Sequence, residues 1–305
     1  MIFPECMGFF QMMEKSLFFY LESCNVPVGW RKENTVEHTL FGFIGCGNMG
    51  GALACAARKA LPGQDILLSN RTPEKARALA DRLQARAVDN REAARLADYL
   101  FLGVKPQMMA GMLSDIAPVL AARDKPCVLV TMAAGLSMEA VRRMAGVDFP
   151  VIRVMPNTPA AIGEGVLLCC SDGATDEQLE TFRTAMAGAG LLDFIDEHLI
   201  DAGSVVAGCG PAFAAMLIEA LADGGVACGL PRAKAVAYVA QMMKGTAELA
   251  LQSGQHPGQM KDAVCSPAGS TIQGVRALEK GGFRSAAFEA VMAAYEKTLE
   301  MGKGR

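Results

Sequence analysis

Two clusters in this chain have residue types and a spacing suited to chemistry. The first is Gly45-Cys46-Gly47-Asn48-Met49-Gly50, a Gly-x-Gly-x-x-Gly run. The apolar residues Phe41-Gly42-Phe43-Ile44 precede it and an Ala-rich, helix-favouring segment, 51–61, follows it. That is the strand–turn–helix order a dinucleotide pyrophosphate requires. Gly45 allows the tight turn, Gly47 lets the backbone approach the phosphates, and Gly50 lets the helix pack close to the strand. The free N–H groups of the new helix and its dipole then face the anion. The plain alternative is an ordinary tight turn between strand and helix. The second cluster is Ser69-Asn70-Arg71-Thr72, about 20 residues further on, where an NAD site carries an acid for the ribose 2′-hydroxyl. No acid stands here to repel a 2′-phosphate, and Arg71 can pair with one while the hydroxyls donate. The pattern predicts NADPH in preference to NADH, with Ser69, Asn70 and Arg71 at the cofactor. Otherwise Arg71 is a solvated charge ahead of the next helix.

The elements that must position these residues follow from the apolar pattern. Ile66-Leu67-Leu68, Ala87-Val88, Tyr99 to Val104, Cys127 to Met132 and Val151 to Met155 read as strands, with helices over 73–84 and from Asn90. Ligands of open α/β sheets bind at the carboxyl ends of strands. Val104-Lys105-Pro106, Ala133-Ala134 and the stiff loop Pro156-Asn157-Thr158-Pro159 should therefore border the cofactor. Strands at 165–170 and 191–195 flank a helix at 176–187. After about Asp196 no strand pattern remains, and apolar residues recur at helical spacing. Gly224-Gly225 suggests a break, Pro231 a helix start, and further helices are expected over 233–252, 272–280 and 285–301. The fold class is α/β: a Rossmann-type dinucleotide-binding domain over 39–196, then an all-α domain over 197–305. So many apolar positions on few helices call for a partner subunit. Residues 1–38 fit neither domain. They lack the basic start of a secretory signal and receive no function.

Composition bounds the function classes. The chain has 305 residues, 51% hydrophobic and 20% charged, with a net charge of −3. A large core can form, and a nucleic-acid protein is not indicated. No unbroken apolar run reaches the roughly 18 residues of a membrane span. The 10 cysteines contain no C-x-x-C pair and read as reduced, buried, cytoplasmic thiols. With only 3 histidines, a His-based metal site or triad is not expected.

Taken in order, these segments resemble pyrroline-5-carboxylate reductase. The resemblance runs from Phe41 to Met301 through Ile44 to Gly50, Val104-Lys105-Pro106-Gln107, Met155 to Pro159, Gly210-Pro211-Ala212-Phe213, Ala220 to Gly225, Gly229-Leu230-Pro231-Arg232, His256-Pro257-Gly258-Gln259, Lys261-Asp262, Ser266-Pro267 and Gly281-Gly282-Phe283-Arg284. The Gly motif is common to many dehydrogenases; the collinear C-terminal set is far more specific. The resemblance implies that the helical domain interleaves with a second copy in a dimer, with larger rings in reach. It also implies hydride transfer from NAD(P)H to the C=N carbon of 1-pyrroline-5-carboxylate, giving L-proline.

An imine that arrives protonated is already an electrophile, so it needs positioning more than a strong acid. The loop 266–271 at a helix N-terminus offers N–H groups and hydroxyls to the substrate carboxylate. By resemblance Ser266, Gly269, Ser270 and Thr271 bind substrate, and Thr271 lies near the ring nitrogen; alternatively Thr271 is a plain helix cap. Resemblance also places Lys105, Pro106, Ala133, Ala134 and Asn157 near the cofactor or ring. Three departures stand out: Ala268 where the family usually has a second Gly, Cys209 for a usual Ser, and Thr131-Met132 for a usual Ser or Cys pairing. A β-hydroxyacid dehydrogenase is disfavoured because Lys234 and Lys244 lack a Gly-rich helix context. A noncatalytic NADP-binding sensor is the rival from another class.

Overall fold

The computed structural model describes residues 38–303. The N-terminal extension read from the sequence lies, apart from His38, outside the described residues. Short apolar runs alternate with helices: β1 (Phe41–Ile44), α1 (Asn48–Ala60), β2 (Ile66–Ser69), α2 (Pro73–Leu83), β3 (Arg86–Ala87), α3 (Asn90–Leu96), β4 (Tyr99–Leu102), α4 (Pro106–Ala121), β5 (Val128–Thr131), α5 (Met138–Ala145), β6 (Val151–Pro156), β7 (Gly165–Asp172), α6 (Asp176–Met186) and β8 (Gly190–Phe194). They form one 8-stranded sheet in the order β3-β2-β1-β4-β5-β6-β7-β8. Pairing is parallel from β3 to β6, antiparallel between β6 and β7, and parallel again between β7 and β8. The strand order reverses at β1 and β4, so the crevice of a doubly wound sheet opens at their carboxyl ends.

Helices cover both faces, which is why the residues of β1, β2, β4 and β5 are buried throughout. On one face Phe41 stacks on Tyr99 with ring centroids 4.6 Å apart, and Phe43 stacks on Phe101 at 4.3 Å. On the other, Leu100 and Leu102 meet Met109, Leu113 and Ile116 of α4. The sequence reading did not anticipate α4 or α5. Pro118 inside α4 blurs its pattern, yet Met109, Leu113, Ile116 and Leu120 are buried at helical spacing.

After β8 come α7 (Ile200–Ser204), a π-helical turn (Val205–Cys209), α8 (Gly210–Ala227), α9 (Arg232–Ser253), α10 (Pro257–Ala263), α11 (Ser270–Lys280) and α12 (Phe283–Lys303). Among the described residues no strand follows β8. The chain divides into two compact units: one ends at Gly208 and takes in the residues from Thr298, and the other spans Cys209–Lys297. Gly224-Gly225 does not break α8, contrary to the sequence expectation. Each glycine costs about 1 kcal/mol against alanine, which the surrounding helix absorbs. The stop comes at Gly229, with φ +97°, followed by Pro231. Within this unit α8 packs on α9 around Ala222 and Ala235, and Arg232 pairs with Asp223.

The helical run Glu197–Ala227 is 31 residues long, and by length and composition it is apolar enough to cross a membrane. The sequence reading sought an unbroken apolar run; here Gly, Ser and a proline are carried in helical conformation. Much of the helical unit's apolar surface is exposed, including Met216 at 69%, Leu251 at 77% and Phe288 at 65%.

Candidate active site at the carboxyl edge of the sheet

The turn after β1 needs its glycines for different reasons. Gly45 has φ +101°, and a Cβ there would lie 2.5 Å from Gly103 O. Its N–H donates to Ser69 O at 2.8 Å, and the N–H of Gly103 donates to Ile44 O at 2.7 Å. A Cβ on Gly50 would overlap Gly45 O, so Gly50 is what lets α1 start against the turn. Gly47 differs: it is exposed, it caps α1 with φ −74° and ψ −164°, and a Cβ there meets no atom within 4 Å. No side chain caps α1 and no acid stands in its first turn. The first N–H groups of the helix therefore open, beside exposed Asn48 and half-buried Met49, onto space a phosphate can fill. Cys46 donates its S–H to Ser69 O at 3.3 Å, and burial pushes its thiol up to about 12. It therefore adds no negative charge next to the open start of α1.

The tip of β2 borders a cleft of about 620 Å³ lined by Ser69, Asn70, Arg71, Arg77, Asn90 and Arg91, among others. Ser69 is buried, and its hydroxyl donates to Asn90 Oδ1 at 2.6 Å. Asn70 Nδ2 donates to Thr72 O at 3.2 Å. Of the arginines here, Arg77 faces Glu74 at 3.7 Å and Arg91 faces Asp115 at 2.9 Å. Arg71 is exposed and makes no ion pair or hydrogen bond among the described residues. It is the arginine of the cleft left free to meet a phosphate. Arg77, Asn90 and Arg91 were missed from the sequence. For Asn90 and Arg91 the available signal was the polar run Asp89-Asn90-Arg91, one residue beyond β3.

The parallel order also brings the other strand tips to this edge. Lys105 is exposed and caps α4, with half-buried Val104 before it and Pro106 as the first helical residue. Thr131, fully buried, accepts from Ala133 N at 3.4 Å, and Ala134 next to it is exposed. Asn157 follows β6 and is only 7% exposed. Its amide is committed to the protein at both ends: Nδ2 donates to Ala207 O at 3.0 Å, and Oδ1 accepts from Val166 N at 2.9 Å.

Ser266, Gly269, Ser270 and Thr271 belong to the helical unit. Gly269 caps α11, with no side-chain cap bond, and its N–H donates to Ser266 O at 3.0 Å. Thr271 is the second residue of the helix rather than its cap. Its hydroxyl is exposed and makes no hydrogen bond among the described residues. Ala268 has φ +60°, a left-handed conformation that an L-residue adopts at a cost. That explains why a glycine suits this place.

A doubly wound sheet whose Gly-rich turn opens a helix N-terminus, beside a cleft with a free arginine, defines a dinucleotide-dependent oxidoreductase. Two family models match: residues 40–135 fit "NADP oxidoreductase coenzyme F420-dependent", and residues 197–301 fit "Pyrroline-5-carboxylate reductase dimerisation". The chain is 39% identical over 267 residues to the pyrroline-5-carboxylate reductase of Escherichia coli (strain K12), covering 86% of this chain and 98% of the relative. It is 40% identical over 266 residues to that of Synechocystis, covering 86% and 98%. Among solved structures, Plasmodium falciparum pyrroline carboxylate reductase with NADP bound superposes with a TM-score of 0.77 at 30% identity, covering 87% and 98%. The enzyme from Coxiella burnetii gives 0.80 at 25% identity, covering 87% and 99%. The chain belongs to the pyrroline-5-carboxylate reductase family.

Proposed function

We propose that this chain reduces 1-pyrroline-5-carboxylate to L-proline with NADPH, the last step of proline biosynthesis, as a dimer built on residues 197–301. Hydride leaves C4 of the nicotinamide and bonds to the C=N carbon, while the ring nitrogen, protonated on arrival, keeps its proton as the amine. The observation that carries the reading is the pairing of an open α1 N-terminus at Gly47 with the unpaired Arg71 in one sheet edge. It supports a cofactor bearing both a pyrophosphate and a 2′-phosphate, and the Plasmodium relative binds NADP. Gly45, Gly47, Asn48, Met49 and Gly50 hold the pyrophosphate in this reading. Ser69, Asn70 and Arg71 take the 2′-phosphate end, and Val104, Lys105, Pro106, Ala133 and Ala134 border the nicotinamide half.

The substrate carboxylate takes donors from Ser266, Gly269 and Ser270. Thr271 orients the ring nitrogen, or passes to the product amine the further proton that makes it an ammonium, a role that its hydroxyl, unbonded among the described residues, supports. The second subunit covers apolar residues such as Met216 and Phe288, so the long apolar helix has a protein partner and calls for no membrane. Assembly of dimers into rings and a cytosolic location, which the free thiols favour, belong to the same proposal. Mixing the purified protein with NADPH and 1-pyrroline-5-carboxylate, with NADH in parallel, tests it. Loss of NADPH absorbance with proline as product is expected. NADPH binding without turnover of the imine would overturn the enzymatic reading.

A further inference from the structure

The cleft at the tip of β2 carries both signs of charge. Its arginines are Arg71, Arg77 and Arg91, and its acids are Asp89, Glu92 and Asp115. Two of the acids are committed away from these arginines. Asp89 caps α3, its Oδ1 accepting from Glu92 N at 2.7 Å. Glu92 faces Arg86 at 3.9 Å, and Arg86 lies outside the cleft lining. Asp115, from α4, is the acid that meets an arginine of the cleft. The pair is loosely built. Arg91 Nε and Nη2 both donate to the same oxygen, Asp115 Oδ1, at 3.2 and 2.9 Å. They do not form the parallel two-oxygen fork of a strong arginine–carboxylate pair. The Arg91 side chain is 65% exposed and that of Asp115 is 47% exposed, and a pair this wet adds little to stability. The root of Arg91 is fixed all the same, because its neighbour Asn90 accepts from the Ser69 hydroxyl at the tip of β2, at 2.6 Å.

We propose that Arg91 is a second cation for the 2′-phosphate of NADPH and that Asp115 is a built-in competitor for it. The carboxylate occupies Arg91 in the free protein and gives it up when NADPH enters. The proposal rests on the reading of this cleft as the 2′-phosphate end of the cofactor site. A phosphate monoester carries more than one negative charge at neutral pH and several strong acceptor oxygens, so it exchanges for the single charge of Asp115. The 2′-hydroxyl of NADH carries no charge and leaves the pair intact. NADPH alone therefore bears the cost of opening the pair, and Asp115 sets how far the protein prefers it.

Fluorescence titration of the full-length protein with NADPH and with NADH, at one fixed salt concentration, reads the ratio of dissociation constants without turnover. Asp115→Asn should raise the preference for NADPH about two- to fivefold, the scale of one exposed ion pair. Arg91→Ala should lower it about fivefold or more. Glu92→Gln removes an acid of the same cleft that does not hold Arg91, and it should move the ratio by less than about twofold. An equal gain from Glu92→Gln means that charge alone is at work and overturns the competition. A fall in the ratio for Asp115→Asn overturns it too, since the carboxylate would then be holding Arg91 in place for the phosphate. An unchanged ratio in either Asp115→Asn or Arg91→Ala also overturns it. Arg71→Ala in the same titration separates these failures from failure of the reading beneath them. A ratio that Arg71→Ala does not move takes the cleft, and the proposal with it, out of the cofactor site.

Discussion

Gly47 and Gly50 sit three residues apart in one motif, yet the structure predicts opposite consequences for a methyl group at each. At Gly47 the backbone, with φ −74° and ψ −164°, is open to alanine, and the added Cβ touches no protein atom within 4 Å. Alanine is a poorer helix cap than glycine by up to about 1 kcal/mol, and the stiffer unfolded chain returns about 0.4–1 kcal/mol. Net stability should therefore stay within ~1 kcal/mol, or about 2–4 °C in melting temperature for a domain of this size. In the proposed reading the methyl takes up open space at the start of α1 that the pyrophosphate needs. Losing one charge-assisted hydrogen bond there costs ~2 kcal/mol, which is about 30-fold in NADPH affinity. At Gly50 the Cβ overlaps Gly45 O, a backbone atom in a turn with φ +101° that has no rotamer to move to. Relief requires pulling α1 from the turn, and overpacking of this kind costs ~1–3 kcal/mol. Thermal melts and fluorescence titration with NADPH on Gly47→Ala and Gly50→Ala separate the two. A Gly47→Ala protein that binds NADPH as well as the original would place the pyrophosphate elsewhere. A Gly50→Ala protein that melts like the original would refute the close-packing argument.

Four more outcomes are expected. Arg71→Ala should lose ~1.5–3 kcal/mol of preference for NADPH over NADH, about 10- to 150-fold in the ratio of kcat/KM values; an unchanged ratio means Arg71 is merely solvated. Thr271→Val should reduce turnover at nearly unchanged melting temperature, since the hydroxyl makes no hydrogen bond among the described residues, and full activity rejects its role. Ala268→Gly should raise stability by up to about 1 kcal/mol, because relief of the left-handed alanine outweighs the entropy glycine brings; a lower melting temperature contradicts this. Burial raises the Cys46 thiol from 9.0 to about 12 and the Cys127 and Cys170 thiols to about 11. The folded state then holds protons that the unfolded chain releases, so the stabilisation is full below pH 9 and is lost as pH rises through 11 to 12. Melting temperature should fall above pH 9, and less steeply in Cys46→Ala; equal slopes would sink the assignment.

The strands and the Gly-rich turn were legible from local chemistry alone. The apolar run ending in glycines was readable as a buried strand feeding a tight turn into a helix, and that is what the structure shows for β1 and α1. Helix α4 was hidden because Pro118 interrupts a pattern that only packing on Leu100 and Leu102 restores. Gly224-Gly225 misled because a weak helix position is not a stop when the flanking turns hold.

What the sequence by itself determined is the order of elements, the chemistry at each strand tip and the family, because these depend on residue type and near-neighbour spacing. Which glycine guards the fold and which leaves room for a ligand was decided only in three dimensions. The same holds for which of three arginines in the cleft is unpaired. It holds too for Asn157, whose amide donates to Ala207 O. The Arg91–Asp115 and Asn157–Ala207 contacts join segments far apart in sequence, and the closeness of Gly50 to Gly45 O depends on a turn geometry; a list of residue types records neither.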